Sequence, residues 1–334
     1  MRERFGTSAL ARFAGSHEGR LLAVTLAVVA GLSVATTGFL TVQNLFDLLT
    51  SYAFLGILAA GLLVVLVAGG IDISFTATAS VAQYLALSLA NAYGLGWTTT
   101  FALAVAAGVA CGLVNAWLVD TLRVSSIIVT IATLNIFYGL LVFVTGGQYI
   151  YALPDWFSAG IFWFETVDAE GVSYGLNLQI LLLVAAFALT WLLLNRTTIG
   201  RQIYALGGNR DAARRLGFST RRLTFFVYGY MGLMAGLASL AQAQLAQSVA
   251  PTVLVGRELD VLAAVVLGGA SLTGGVGSVL GTVLGLVLLA AIQSGLVIVG
   301  VSSYWSQLCV GLVILLSVSS TALTLRRRAG RVSA

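Results

Sequence analysis

One acidic residue of the sequence stands where a charge is costly. Asp72 lies in segment 69–74, which reads Gly-Gly-Ile-Asp-Ile-Ser and separates two apolar runs. A carboxylate at the centre of a bilayer costs about 2.5 to 3.5 kcal/mol, whereas a glycine pair followed by a capping residue lets a membrane helix stop and restart. Asp72 therefore either caps a helix that begins near Phe75 or lies beside a solute path, and the sequence leaves both interpretations open.

Catalytic chemistry has little support elsewhere in the chain. His17 is the only histidine, all 17 basic residues are arginine, and Cys111 and Cys309 fall within apolar runs. A chain without lysine has no phosphate-loop lysine, and a thiol in an apolar run behaves as a small hydrophobe. We expect a non-catalytic protein without metal site or cofactor, so that any ATP hydrolysis belongs to another chain.

The composition indicates an integral membrane protein. Of the 334 residues, 59% are hydrophobic and 9% are charged, against about 25% charged residues in soluble domains. A bilayer core of about 30 Å needs roughly 20 apolar residues per helix. The apolar runs lie at 21–40, 52–69, 75–91, 98–119, 126–145, 176–195, 224–243, 259–272, 278–299 and 305–323. The sequence therefore predicts an all-α membrane protein, a polytopic bundle of about ten transmembrane helices over residues 21–323, with some helices short or broken.

The arginines predict the orientation of these spans. Ten crossings place the tail 1–20, the loop 196–223 and the Arg-rich tail 324–334 on one side, together with every arginine except Arg257. Basic residues favour the cytoplasm, so both termini are predicted to be cytoplasmic, and the net charge of +5 does not indicate nucleic-acid binding. The aromatic and acidic loop 146–175 is then external, as a membrane-interface anchor or as a docking surface for a partner.

A short amphipathic helix is predicted inside the loop 196–223. Asn209 is a good N-cap, Asp211 favours the positive end of the helix, and Gly217 suits the left-handed residue after its last turn. The helix should cover 210–216, with Ala212, Ala213 and Leu216 on one side and Arg210 and Arg214 on another. An Arg-bearing helix of this kind rests either on anionic lipid or on a protein, and local chemistry does not separate the two.

Glycine spacing predicts close helix packing and an internal repeat. Glycines recur every fourth residue at positions 108 and 112, 232 and 236, and 277, 281 and 285. This spacing lets helix backbones approach closely. The glycine pair 268–269 also repeats the pair 69–70 with an offset of 199, which aligns Asp72 with Ser271. Both copies would run the same way through the membrane, as a parallel repeat.

Uncharged hydrogen-bonding groups within or near the spans suit a neutral, polyhydroxylated solute. The amides are Gln83, Asn115, Asn135, Gln242, Gln244 and Gln293. Many such groups instead form hydrogen bonds between helices, so each has a structural alternative. The residues that we select for a translocation path are Asp72, Ser74, Asn135, Ser271, Thr273 and Gln293.

Several motifs, in this order, resemble the permease subunits of ribose-type ABC importers for simple sugars. They are residues 69–74, the stretches 200–201, 204–209 and 212–214, and the run from Glu258 to Asp260 and on through 264–275. The resemblance extends from about residue 42 to 320. One departure follows Ser74, where this chain reads Phe-Thr-Ala-Thr and many relatives resemble Val-Gly-Ser.

The resemblance implies an importer subunit that moves a monosaccharide or similar polyhydroxylated solute into the cytoplasm. Its partners would be ATP-binding cassette subunits, an external sugar-binding protein and a second permease copy or paralogue, within the lipid of a bacterial inner membrane. The matching positions of the coupling helix are Gly207, Gly208, Asn209, Arg210, Asp211, Ala212, Ala213, Arg214, Arg215, Leu216 and Gly217. An ion-coupled secondary carrier that uses Asp72 is the alternative, and a passive channel is a third.

Overall fold

The structure is a computed structural model. It describes residues 16–36, 38–167, 171, 173–301, 305, 308, 311–312 and 315. The predicted tail 324–334, most of the tail 1–20 and most of the tenth predicted span at 305–323 lie outside the described residues.

The described chain is almost entirely helical, as predicted. The helices are α1 (His17–Ala35), α2 (Val42–Ser51), α3 (Ala53–Val67), α4 (Phe75–Tyr93), α5 (Trp97–Leu122), α6 (Ser126–Thr145), α7 (Asp155–Ser158), α8 (Leu178–Arg196), α9 (Thr198–Gly208), α10 (Arg210–Arg215), α11 (Thr220–Ala246), α12 (Glu258–Leu267) and α13 (Val279–Ile298). The exception is an antiparallel pair within the predicted external loop, β1 (Phe162–Val167) and β2 (Ser173–Asn177), which the sequence analysis did not predict.

The predicted number of spans is approximate. Among the described residues, α1, α5, α6, α8, α11 and α13 are long and apolar enough to cross a membrane, and α2 with α3 forms a further candidate bent by 52°. The helices α4 and α12 occupy two more of the predicted runs. With ten residues, α12 is about 15 Å long, so it covers only half of a bilayer. It is one of the short or broken helices that the sequence predicted.

The centre of the bundle is α3, in which every residue is buried. Its sequence is apolar on all sides, and such a helix is stable only when it is surrounded. It packs against α8, α11, α12 and α13. By contrast, α1 and α6 keep most of their apolar side chains exposed, as expected of helices that face lipid.

The two long loops lie at opposite ends of the bundle. At one end, the last turn of α11 meets the loop after α6, where the side-chain Nε2 of Gln244 donates to the Phe157 carbonyl oxygen over 2.9 Å. In the same way, Asn91 near the end of α4 donates to the Ala152 carbonyl over 2.7 Å. At the other end, α11 begins directly after the loop 196–223. The structure therefore separates the aromatic loop from the arginine-rich loop, as the charge pattern predicted.

The glycine spacing predicts the closest helix contact correctly. On α5 and α11, glycines face the partner backbone: a Cβ at Gly232 would overlap the Gly108 carbonyl oxygen, and one at Gly236 would lie 2.8 Å from the Val105 Cα. Gly281 and Gly285 of α13 face α12 in the same manner, while Gly277 lies before α13 and faces side chains of α3. Since only hydrogen fits at these positions, the sequence signal and the packing agree.

Replacing Gly232 by alanine tests this contact. The added methyl group has no space against the α5 backbone, so we expect a loss of about 1 to 3 kcal/mol in unfolding free energy, as overpacking gives. The measurement is thermal unfolding of the purified protein in detergent. Gly229→Ala is the matched control on the same helix, because its Cβ would meet only the Leu113 side chain at 3.5 Å. Equal stability of the two variants would contradict the packing argument.

Candidate functional site

The predicted short helix in the arginine-rich loop is present as α10. The Asn209 side-chain oxygen accepts hydrogen bonds from the backbone N–H groups of Asp211 and Ala212, over 3.1 and 2.9 Å. At the other end, Gly217 has a φ of +82°, and the Phe218 N–H donates to the Ala213 carbonyl over 3.1 Å. Both predicted caps are confirmed, although the helix ends at Arg215 and Leu216 is its C-cap.

The surface of α10 differs from the prediction in one respect. Ala212, Ala213 and Leu216 were expected on one apolar side, but only Ala213 is buried, at 1% exposure, while Leu216 is 70% exposed and Ala212 is exposed. The reason is that a helix of six residues is too short to present one continuous apolar face, so Ala213 is the residue of α10 that is buried against its neighbours. Its arginines 210, 214 and 215 are exposed too, and a basic surface with an apolar tip remains open to a partner.

Three segments meet at the end of α9, at a group of glycines that we call the glycine junction: Gly69, Gly207, Gly274 and Gly275. The Gly275 N–H donates to the Val67 carbonyl over 2.9 Å. A Cβ at Gly207 would overlap that same carbonyl oxygen and lie 2.6 Å from the Gly275 nitrogen. One at Gly274 would lie 2.6 Å from the Gly69 Cα. The junction thus joins the arginine-rich loop to the end of α3 and to the segment that connects α12 to α13.

A side chain adds a second link between α9 and the later break. The Tyr204 hydroxyl donates to the Gly277 carbonyl oxygen over 2.7 Å. Tyr204 lies one turn before Gly207 on α9. Because the helix is anchored both through its backbone and through this phenol, a displacement of α9 must act on the segment that precedes α13.

The N-terminal helix also contacts this second break. The His17 Nε2 atom lies 2.9 Å from the Leu267 carbonyl oxygen, and the imidazole ring covers Gly269. Next to it, the Ser278 hydroxyl donates to the Glu18 carboxylate over 3.1 Å. The start of α1 therefore packs on the residues that connect α12 to α13.

The two helix breaks repeat the same backbone cap, but in a different register from the prediction. Gly69 has a φ of +81° and Gly269 a φ of +89°. After each of them the next N–H reaches back five residues, from Gly70 to Val65 over 3.0 Å and from Ala270 to Val265 over 3.2 Å. The structural offset is therefore 200 rather than 199, because the left-handed position falls on the first glycine of one pair and the second glycine of the other. The predicted alignment of Asp72 with Ser271 is wrong.

Beyond Gly69 the chain runs without regular secondary structure alongside α6. The Ile71 N–H donates to the Ser126 hydroxyl over 2.9 Å, and the Ile73 N–H donates to the Thr130 hydroxyl over 3.2 Å. Ser126 and Thr130 are one turn apart on α6. Hydroxyl groups thus replace the hydrogen bonds that a continuous helix would have supplied, as interrupted backbone within a membrane protein requires.

Asp72 has a structural role at this break. It is 2% exposed, and its Oδ1 atom accepts from the Ser74 N–H over 2.8 Å and from the Ser74 hydroxyl over 2.7 Å. The Asn115 amide of α5 donates to the same hydroxyl over 2.6 Å. Asp72 and Ser74 therefore fix the turn before α4 and bind it to α5, which favours the capping interpretation, although the contact is to Ser74 and not to the first turn of the helix.

The other selected path residues are dispersed. Asn135 is exposed on α6 and donates to the Ile131 carbonyl of its own helix. Gln293 accepts from the Tyr52 hydroxyl over 3.0 Å. The hydroxyls of Ser271 and Thr273 lie 2.8 Å apart within the second break. Among the described residues, no hydrogen bond connects any of them to Asp72 and Ser74.

The sequence analysis missed a charged group at the start of α12. The Thr76 hydroxyl of α4 donates to the Glu258 carboxylate, and Arg257 forms an ion pair with Asp260 over 3.4 Å. Glu258 and Asp260 are part-buried at the start of this short helix, whereas Arg257 is exposed. The sequence signal that could have revealed this group was three charges within four residues, immediately before an apolar run. The predicted topology had assigned these charges to an outer loop.

This architecture, an all-α multi-pass bundle with interrupted helices that meet one polar loop, defines the class as that of membrane transport proteins. The chain belongs to the family described as branched-chain amino acid transport system / permease component, which matches residues 44–318.

Curated relatives cover most of the chain. The ribose import permease protein RbsC of Escherichia coli K12 is 33% identical over 303 residues, which are 90% of this chain and 92% of the relative. The autoinducer 2 import system permease protein LsrC of Yersinia enterocolitica is 34% identical over 301 residues, 90% and 81% of the two chains. RbsC of Bacillus subtilis is 32% identical over 287 residues, 86% and 87% of the two chains. No solved structure matches the chain significantly.

Gly207→Ala should disrupt the glycine junction. A methyl group has no space beside the Val67 carbonyl, and main-chain atoms cannot rotate away as a side chain can, so we expect the unfolding free energy to fall by about 1 to 3 kcal/mol. Gly208→Ala is the control, since a Cβ there meets nothing within 4 Å. Thermal unfolding of both variants decides the matter, and a Gly207→Ala protein as stable as Gly208→Ala would contradict the contact.

Asp72→Ala and Asp72→Asn should separate the two interpretations of this carboxylate. Alanine leaves the buried Ser74 N–H without its acceptor, which costs about 1 to 3 kcal/mol. Asparagine keeps an oxygen acceptor, so it should restore most of the stability and retain solute uptake. Thermal unfolding and uptake by membrane vesicles are the readouts. A stable Asp72→Asn protein without uptake would instead show that the charge itself is needed.

Proposed function

We propose that this chain is the permease subunit of an ATP-binding cassette importer that moves a monosaccharide or similar small polyhydroxylated solute into the cytoplasm. The observation that carries the proposal is the glycine junction, because it connects an exposed basic helix to the ends of two interrupted helices. The relatives are named for ribose import and autoinducer 2 import, and these functions support the solute class. ATP is hydrolysed by separate subunits, in line with a chain that has no lysine.

The segment Gly207 to Gly217 is the proposed contact for the ATPase subunit. The exposed surface of α10 is positively charged, because it carries Arg210, Arg214 and Arg215. The exposed Leu216 side chain adds an apolar tip that could enter a pocket on the partner. Asn209 caps α10 directly after α9 ends, so a push on α10 reaches α9, which contains Gly207, through one residue. Since Gly207 touches main chain of both breaks, the motion has a contiguous route into the bundle, as a coupling mechanism requires.

The loop 146–175 at the other end is the proposed docking surface for an external sugar-binding protein. Tyr149 and Tyr151 stack with ring centroids 5.6 Å apart, and both are exposed, as are Trp163 and Phe164 of β1. An aromatic surface of this kind also suits a membrane interface, which is the other role for the loop. A second copy or a paralogue would complete the permease, in a bacterial inner membrane with both termini in the cytoplasm.

The alternative of an ion-coupled carrier has less support from the geometry. Asp72 is occupied with Ser74, and a proton relay needs further ionisable groups along the path. ATP-dependent uptake that persists in the presence of an uncoupler would exclude this alternative. Uptake that collapses with the uncoupler at constant ATP would establish it.

The double substitution Arg214→Glu and Arg215→Glu tests the contact with the ATPase. We expect solute uptake by vesicles that hold the complete importer to fall by about tenfold or more, since two attractive charges become repulsive at an interface, while the permease remains in the membrane. Arg20→Glu is the control, an exposed arginine on the same predicted side but outside the segment 207–217. Normal uptake by the double variant would refute the docking assignment.

A further inference from the structure

A polar stripe runs along the first half of α4. Thr76, Ser80 and Gln83 are spaced by four and three residues, so they lie on one face of the helix. All three are buried, with at most 1% of their surface exposed. We call these residues the α4 stripe. A polar face turned towards the interior of a membrane bundle needs partners or a function.

The α4 stripe has few partners in this conformation. Within the described part of the chain, neither the Ser80 hydroxyl nor either amide atom of Gln83 has a hydrogen-bond partner. The hydroxyl of Tyr138, on the neighbouring helix α6, lies close to Thr76 and Ser80, but neither contact reaches hydrogen-bond geometry. Buried polar atoms are paired in the great majority of cases. A group of unpaired atoms on two facing helices is therefore exceptional.

The start of α12 closes the same space from another side. The Glu258 carboxylate accepts a hydrogen bond from the Thr76 hydroxyl and is also near Tyr138. The ion pair of Arg257 with Asp260 lies on the first turn of the same helix. Thr76 of α4, Tyr138 of α6 and Glu258 of α12 thus lie near one another where α12 begins.

The chemistry of these groups selects one class of ligand. Hydroxyl and amide groups can both donate and accept, and a carboxylate adds a strong acceptor, so the set can pair with a molecule that carries several hydroxyls. It is a poor metal site, since no group of three or more His, Cys, Asp or Glu residues in the described chain could hold a metal ion. A hydroxylated solute, in contrast, would satisfy the unpaired atoms.

We infer that the α4 stripe, Tyr138 and Glu258 form the intramembrane binding site for the solute, and that the site is closed in this conformation. The inference rests on the proposed function, because it assumes that the chain moves a hydroxylated solute. It explains the unpaired atoms. Solute or water satisfies them when the bundle opens, so leaving them unpaired lowers the stability of the closed conformation relative to the open one. It also gives the short helix α12 a role, since Glu258 in its first turn is one of the residues that bind the solute.

The first test separates function from stability. Ser80→Ala and Gln83→Leu remove unpaired polar atoms, so their melting temperatures should equal or exceed that of the unaltered protein. Uptake of radiolabelled D-ribose by vesicles with the complete importer should nevertheless fall by about tenfold, the effect of losing one or two hydrogen bonds to the solute. Ser239→Ala is the matched control, a fully buried serine on α11 whose hydroxyl donates to the Gly236 carbonyl over 2.7 Å; it should retain uptake. Variants that keep full uptake would overturn the site.

The second test needs no sugar. Ser80→Cys, in a chain in which Cys111 and Cys309 are replaced by serine, is treated with a charged, membrane-impermeant thiol reagent. We expect no labelling in resting vesicles and labelling during ATP turnover, when the site opens to water. A thiol that stays unreactive during turnover would overturn the inference. If unaltered vesicles take up no D-ribose and yet Ser80→Cys is labelled during turnover, the sugar assignment fails while the site stands.

Discussion

The contact on which the rest of the structure depends is made by main chain against main chain. At the glycine junction, no side chain separates the end of α9 from the end of α3 and from the segment that connects α12 to α13. Side chains can change rotamer and absorb a displacement, whereas packed backbone atoms transmit it. A loop that must act on the interior of a bundle is therefore best joined to it through glycine, and the hydrogen bond from Gly275 to Val67 fixes the two breaks to each other at the same place.

Around this junction, the buried polar residues fall into two groups with different consequences. Hydrogen bonds join Asp72, Ser74 and the Asn115 amide nitrogen and hold the turn before α4 in one position, although the Asn115 side-chain oxygen has no partner among the described residues. Ser80, Gln83 and Tyr138 leave atoms unsatisfied. The first group stabilises one arrangement, and the second lowers the stability of the closed form relative to an open one. A transporter needs both groups, because a bundle in which every buried polar atom is paired gains no hydrogen bonds when its conformation changes.

The sequence predicted the features that follow from local rules. The cap at Asn209, the left-handed Gly217 and the glycine rows of α5 and α11 each depend on neighbours within a few residues or on a regular period. It failed where the answer depends on distant residues. Gly69 and Gly269 take the left-handed position for reasons of packing, so counting glycine pairs gave an offset of 199 and not 200. Glu258 was missed because a helix that starts halfway through a bilayer looks, in sequence, like a loop outside it. The caps at Asn209 and Gly217 therefore predicted where α10 begins and ends, but its contact with a partner subunit stays a prediction.

The contact of the first helix makes the two breaks unequal. Their backbone caps repeat, yet His17 and Glu18 of α1 hold only the second one, while the first is held by hydroxyls of α6. The two similar breaks are thereby held by different elements of the bundle. Any load applied ahead of His17, such as a fused domain, would act first on the segment that connects α12 to α13 and would reach the first break through the glycine junction.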